Sequence, residues 1–146
     1  MASTTLKRKN SRVNRVVAST PSSAVAAAYG RDVDRWPRSW MGLEEDLPSG
    51  EQILDCFRPF LQRLAESGLA PKTIRKHVDN LWLLGGELIR DLHEDPPLRK
   101  LSAARLLSAK IHEDGGPLIH HGSEEEQISF DSTCRKLHRF LTNPQR

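Results

Sequence analysis

The chain is short of the features that mark several large protein classes. Among its 146 residues there are two cysteines, one tyrosine and only 5% aromatics. Cys56 and Cys134 are too few for a disulfide scaffold, and both fall on predicted apolar helix faces, which points to a reduced, cytoplasmic protein. No apolar run reaches the roughly 18 residues of a membrane span, and VAAAY near the N-terminus is too short for a secretory signal. No segment alternates polar and apolar residues over strand length. Gly-rich phosphate loops, GxSxG and CxxC are all absent. These absences exclude the commonest signatures of nucleotide, hydrolase and thiol-redox chemistry, and no cofactor is expected. What is present instead is a set of apolar residues recurring at helical spacing.

Charge is unevenly distributed. The chain carries +3, but residues 1–31 hold Lys7, Arg8, Lys9, Arg12, Arg15 and Arg31 with no acid, which leaves −3 on residues 32–146. A segment rich in Lys, Arg, Ser and Thr reads as a flexible basic arm, of a kind that touches nucleic acid, or as a solvated leader without function. Residues 1–48 lack sustained periodicity and read as a mostly disordered basic arm followed by an extended segment. In RWPRSW, Pro37 disfavours helix at Trp36, so an extended segment is expected, with Trp36 and Trp40 packed on the domain or free to stack on bases.

The remainder reads as all-α, a small bundle of four to five helices over about residues 49–142. Ser49-Gly-Glu-Gln52 has the form of a capping box, followed by Ile53, Leu54, Phe57, Phe60, Leu61 and Leu64. Pro59 predicts a kink or a division of that helix, and Gly68 its end. A second helix runs from Pro71, suited to the first helical position, to about Leu92. Its stripe of Ile74, Val78, Leu81, Gly85, Leu88 and Leu92 predicts a central helix. Gly85 and Gly86, each unfavourable by roughly 1 kcal/mol in a helix interior, are read as a close helix crossing, with a break after Leu84 as the alternative. Pro96-Pro97 forbids continuation. A short helix over Ala103–Lys110 follows, with Leu98, Leu101, Leu106 and Leu107 inward, then a loop over 113–122. Ser123-Glu-Glu-Glu126 is a second capping box, and it opens a helix with Ile128, Phe130, Cys134, Leu137 and Leu141 as its buried stripe.

Chemistry-bearing residues are sparse. His112, Glu113, Asp114, His120 and His121 share one loop but fit no common zinc spacing, so no metal is expected. Cys134 and His77 are read as packed core residues. The anomaly is the start of the second helix. Lys72, Arg75 and Lys76 crowd its first turn and a half, and no acid appears until Asp79. Helix N-termini favour anions, so cations there cost a few tenths of a kcal/mol each unless a bound anion compensates. A phosphate held by Lys72, Thr73, Arg75, Lys76 and the free amides would do so. The alternative is a solvated helix end.

The segment FLQRLAESGLAPKTIRKHVDNLWLL resembles the N-terminal core-binding, SAM-like domain of tyrosine recombinases and phage integrases. The likeness rests on a helix, the turn Gly68-Leu69-Ala70-Pro71, then Lys72-Thr73-Ile74-Arg75 opening a helix with spaced leucines. It covers about residues 50–92, and with the later helices about 50–142. It implies a four- or five-helix bundle and DNA contact by Lys72, Thr73, Arg75 and Lys76. Ala70 stands where the family turn usually has Ser. The family's catalytic Arg, His-x-x-Arg and Tyr constellation has no counterpart: the chain has no His-x-x-Arg, and its one tyrosine is Tyr29. The expected function is therefore non-catalytic DNA binding through Lys72, Thr73, Arg75, Lys76 and the arm residues Lys7, Arg8, Lys9, Arg12 and Arg15. A recombination system or mobile element is the setting the resemblance implies. The alternative is a protein-interaction module that pairs with another protein, or with itself, through an apolar face around Trp82–Leu83.

Overall fold

A computed structural model describes Ala28 and residues 32–143. The arm residues Lys7, Arg8, Lys9, Arg12 and Arg15, and also Tyr29, lie outside the described residues. The architecture is all-α. A single 3-10 turn (Val33–Arg35) leads into α1 (Trp36–Trp40), followed by α2 (Asp46–Ala65) and α3 (Pro71–Glu94). A second 3-10 turn (Pro96–Lys100), α4 (Ala103–Lys110) and α5 (Glu124–Thr142) complete it. Among the described residues there is no strand, only an isolated backbone bridge between His112 and Gly115. No helix among them is long and apolar enough to cross a membrane.

The segment expected to be extended is helical. Trp36 takes right-handed helical angles (φ −52°, ψ −46°), and Pro37 falls within the first turn of α1, where a missing N–H loses no helical bond. The local preference against helix before proline yields to packing. Trp36 and Trp40 are both buried, their rings 5.8 Å apart, and each meets Phe57 of α2 edge-on at about 6.5 Å. Neither indole is free to stack on a base. Residues 32–48 are thus part of the bundle, and Ala28 is buried in the same core.

α2 starts three residues before the expected Ser49 cap. Ser49 lies inside the helix, and no side chain caps its start. Pro48 is tolerated there because the first-turn amides have no helical acceptor. Nor does Pro59 divide α2, which continues to Ala65 with Pro59 on its exposed face. Ile53, Leu54, Phe57, Phe60, Leu61 and Leu64 are buried as expected. The helix caps at Glu66, and Gly68 takes φ +83°, a left-handed angle that glycine reaches without penalty. Ser67 Oγ braces the turn, donating to Leu64 O and accepting from Leu69 N–H.

α3 is central and packs against α1, α2, α4, α5 and the second 3-10 turn. Its buried stripe includes Ile74, Val78, Leu81, Leu84, Leu88 and Leu92. The glycines receive a side chain rather than a helix backbone. A Cβ on Gly85 would lie 2.2 Å from Trp40 Cζ2, so the expected close approach is made by an indole. Trp40 Nε1–H, in turn, donates to the carbonyl of Trp82 at 2.9 Å.

Ser102 caps α4 by accepting from Arg105 N–H, and Ser123 caps α5 by accepting from Glu126 N–H. Leu106 and Leu107 are buried, but Leu101 lies outside the core. In α5 the buried residues are Phe130, Thr133, Cys134 and Leu137; Ile128 and Leu141 are exposed. At the C-terminal end of α5 Phe140 packs on Phe60, while its neighbour Leu141 stays exposed. Burial, with a smaller contribution from Asp131, pushes the Cys134 thiol up to about 12, while Arg135 opposes it weakly. Burial also raises Cys56. Neither is an activated thiolate.

Candidate nucleic-acid interface

The first turn of α3 is open. Its N-cap, Ala70, offers no side-chain acceptor, so the early amide hydrogens have no protein cap. Lys72, Thr73, Arg75 and Lys76 are all exposed. They share a groove of about 560 Å³ with Asp79 of α3 and with Ser129 and Ser132 of α5. The structure therefore brings together the four predicted site residues of α3 and sets them opposite a polar face of α5.

That face extends further. Ser129, Ser132, Lys136, Arg139 and Asn143 fall three and four residues apart on α5, one side of a helix. The first two line the α3 groove. The last three line a second groove of about 520 Å³, whose other walls are Phe60, Arg63 and Leu64 of α2, Ser67 and Leu69 of the turn, and Phe140. One stripe of α5 thus runs past both depressions. Lys72, Arg75 and Lys76 border the first, and Arg63, Lys136 and Arg139 the second. Among the described residues none of these six cations is in a salt bridge, whereas Arg58, Arg90, Arg99 and Lys110 each are. The chain outside the arm is acidic on average, yet this face is basic.

A buried polar network fixes the spacing of α3 and α5 beneath the groove. Asn80 Nδ2 donates to Thr133 Oγ1 at 2.9 Å and lies 3.2 Å from both the carbonyl and the hydroxyl of Ser129. Thr133 Oγ1 is 2.8 Å from His77 Nδ1. Burial pushes the His77 pKa down, and the positive charge of Lys136 pushes it further, so the imidazole is held neutral. Reading His77 as a packed histidine fits this position. Asn80 and Thr133 carry no signal in the sequence, since polar residues on a helix ordinarily face water.

A second polar cluster is equally silent in the sequence. Asp46 is fully buried; its Oδ2 accepts from the amides of Gly42 and Leu43 and lies 2.6 Å from His93 Nε2, while its Oδ1 accepts from Arg99 at 2.8 Å. Burial pushes the carboxyl up, but the two amides, His93 and Arg99 together outweigh it and hold it well below the usual carboxylate range. All its bonds go to the loop before α2, the end of α3 and the second 3-10 turn. It is a clamp between elements 47 and 53 residues apart in the chain.

The histidine-rich loop is organised without metal-like geometry. Gln127 donates to Pro117 O and accepts from the amides of Ile119 and His120, all at 3.0 Å. His120 packs edge-on against Phe130. Among the described residues no three His, Cys, Asp or Glu side chains come together as a metal-binding group.

No family model, curated protein or solved structure matches this chain.

Proposed function

We propose that this protein is a non-catalytic DNA-binding domain that contacts the phosphate backbone. The observation that carries the reading is the exposed Lys72, Arg75 and Lys76 at an uncapped helix start, facing an α5 stripe that adds Lys136 and Arg139. Amides and cations converging on a groove suit phosphate oxygens, which fix position and carry no base information. The resemblance of residues 50–92 to the core-binding domain of tyrosine recombinases supports the same partner and suggests a recombination or mobile-element setting in the cytoplasm. The missing His-x-x-Arg is consistent with binding without strand cleavage. The basic arm, with Lys7, Arg8, Lys9, Arg12 and Arg15, would add further phosphate contacts.

The test is binding of a duplex oligonucleotide at two salt concentrations, with and without residues 1–31. Phosphate binding weakens steeply with salt because condensed counterions are released on association. Salt-insensitive binding, or none, would remove this reading. The rival is a protein-interaction surface around Trp82 and Leu83. Trp82 is 40% exposed, but its indole N–H is tied to Ser39 Oγ at 2.9 Å.

A further inference from the structure

The second groove differs in chemistry from the first. Its walls include the apolar side chains of Phe60, Leu64, Leu69 and Phe140, and its cations are Arg63, Lys136 and Arg139. A groove for duplex phosphates alone has no use for apolar walls, because a duplex keeps its bases stacked inside. An occupant that satisfies both parts has a flat apolar body joined to an anionic group. Its volume of about 520 Å³ lies within the range of pockets that hold small organic groups.

The aromatic wall is already in contact with a planar cation. Arg63 Cζ stands 5.2 Å from the centroid of the Phe140 ring, and Phe60 braces that ring at 5.5 Å, tilted by 56°. Phe60 is buried and serves as support, whereas Phe140 is partly exposed. Phenylalanine rings and guanidinium planes are both surfaces on which unpaired bases stack. Lys136 and Arg139 lie on the same α5 stripe that leads back to Ser132 and Ser129 in the first groove, which gives a continuous path for a strand.

We infer that the second groove takes an unpaired base of single-stranded DNA, stacked on Phe140 in the place that the Arg63 guanidinium now holds, with its phosphates on Lys136 and Arg139. The inference deepens the phosphate-binding reading above and rests on it. It makes the preferred ligand a single-stranded, frayed or gapped segment rather than a continuous duplex.

The test uses the full chain and three end-labelled probes of equal length, followed by fluorescence anisotropy at one salt concentration. One is a thymidine single strand, the second the same strand with central abasic residues, and the third a duplex. Backbone charge is matched between the first two, so only the bases differ. Removing the bases is expected to weaken binding by about tenfold or more, since one stacked base contributes on that order. Phe140→Leu keeps apolar volume but removes the aromatic face, and it should erase the difference between the two strands. Arg139→Ala should weaken both strands and leave their ratio in place. Equal affinity for the base-bearing and abasic strands in the wild-type protein would overturn the inference, whatever the folding of the variants. If salt-sensitive binding persisted in that case, the phosphate reading would still stand. If no oligonucleotide bound, both would fall. Binding of an acidic, phenylalanine-bearing peptide in their place would make the groove a peptide site and likewise overturn the inference.

Discussion

Trp40 of α1 lies against Gly85 of α3 so closely that a Cβ on the glycine would sit 2.2 Å from the indole Cζ2 and 2.4 Å from Cη2. The neighbouring Gly86 is different. Its added Cβ would meet Trp40 Cδ1 at 3.4 Å, an ordinary contact.

Two adjacent glycines of one helix should therefore respond with opposite signs. Gly86→Ala should stabilise by up to about 1 kcal/mol through helix propensity. Gly85→Ala gains the same propensity but forces the indole to move, and a net loss of about 1–3 kcal/mol is expected. Denaturant unfolding of the two variants measures both. In a Trp40→Leu background the penalty at Gly85 should vanish, and a penalty that persisted there would show that Trp40 is not its cause.

Asp46→Asn should destabilise by about 2–4 kcal/mol. The amide must turn its NH2 either to the Gly42 and Leu43 N–H groups or to Arg99, all of them donors, and Arg99 and His93 lose their anion. The folded carboxyl is depressed below its ordinary 3.8, so its contribution is complete above that pH and is lost as pH falls below it. The variant should accordingly lose less stability than the wild type between neutral pH and pH values under 3.8. Parallel acid unfolding curves for the two proteins would contradict the clamp.

His77 is charged when protonated, where Asp46 is charged when deprotonated, yet the pH effect has the same direction. Its folded pKa lies below 6.5, so the unfolded chain binds the extra proton first. Its contribution is complete above pH 6.5 and is lost as pH falls from there towards the folded value. Urea midpoints for wild type and His77→Gln, taken from about pH 5 to pH 8 around the usual titration range of His, should converge at the acid end. A constant offset across that range would mean that His77 titrates alike in both states.

Arg75→Glu combined with Lys76→Glu probes the α3 groove. The cations oppose the helix dipole, so the change should keep thermal stability or raise it by about 0.3–1 kcal/mol. Duplex affinity should fall for every sequence tested, and the log–log salt slope should shrink by roughly one for each phosphate that the variant no longer neutralises. Unchanged affinity and slope would remove α3 from the interface.

Much of the helical skeleton is legible locally. Ser102 and Ser123 do cap helices, Pro71 does open one, and Gly68 does mark the stop before it, because each acts within three or four residues of itself. The basic start of α3 is legible for the same reason: four neighbouring residues on one turn share an exposed end whatever packs behind them. By sequence alone the lysines and arginines of α5 are simply cations suited to a helix C-terminus. Their place beside the α3 site depends on which side of α5 meets α3.

Where local pattern misleads, tertiary contact decides. Trp36 adopts helix against the preference of a residue before proline, since burying two indoles on Phe57 outweighs it. Ile128 and Leu141 keep the helical spacing of core residues yet are exposed, while Phe140 beside Leu141 packs on Phe60 of α2. Asp46 and Asn80 look like surface residues and are buried, each made tolerable by partners far along the chain. The amino-acid order alone determined an all-α chain, the starts of α3, α4 and α5, and a cationic helix end. Packing decided which polar residues are buried and which apolar ones stay outside, since burial depends on distant neighbours. It thereby set Lys136, Arg139 and Arg63 along the same side of the bundle as Lys72, Arg75 and Lys76.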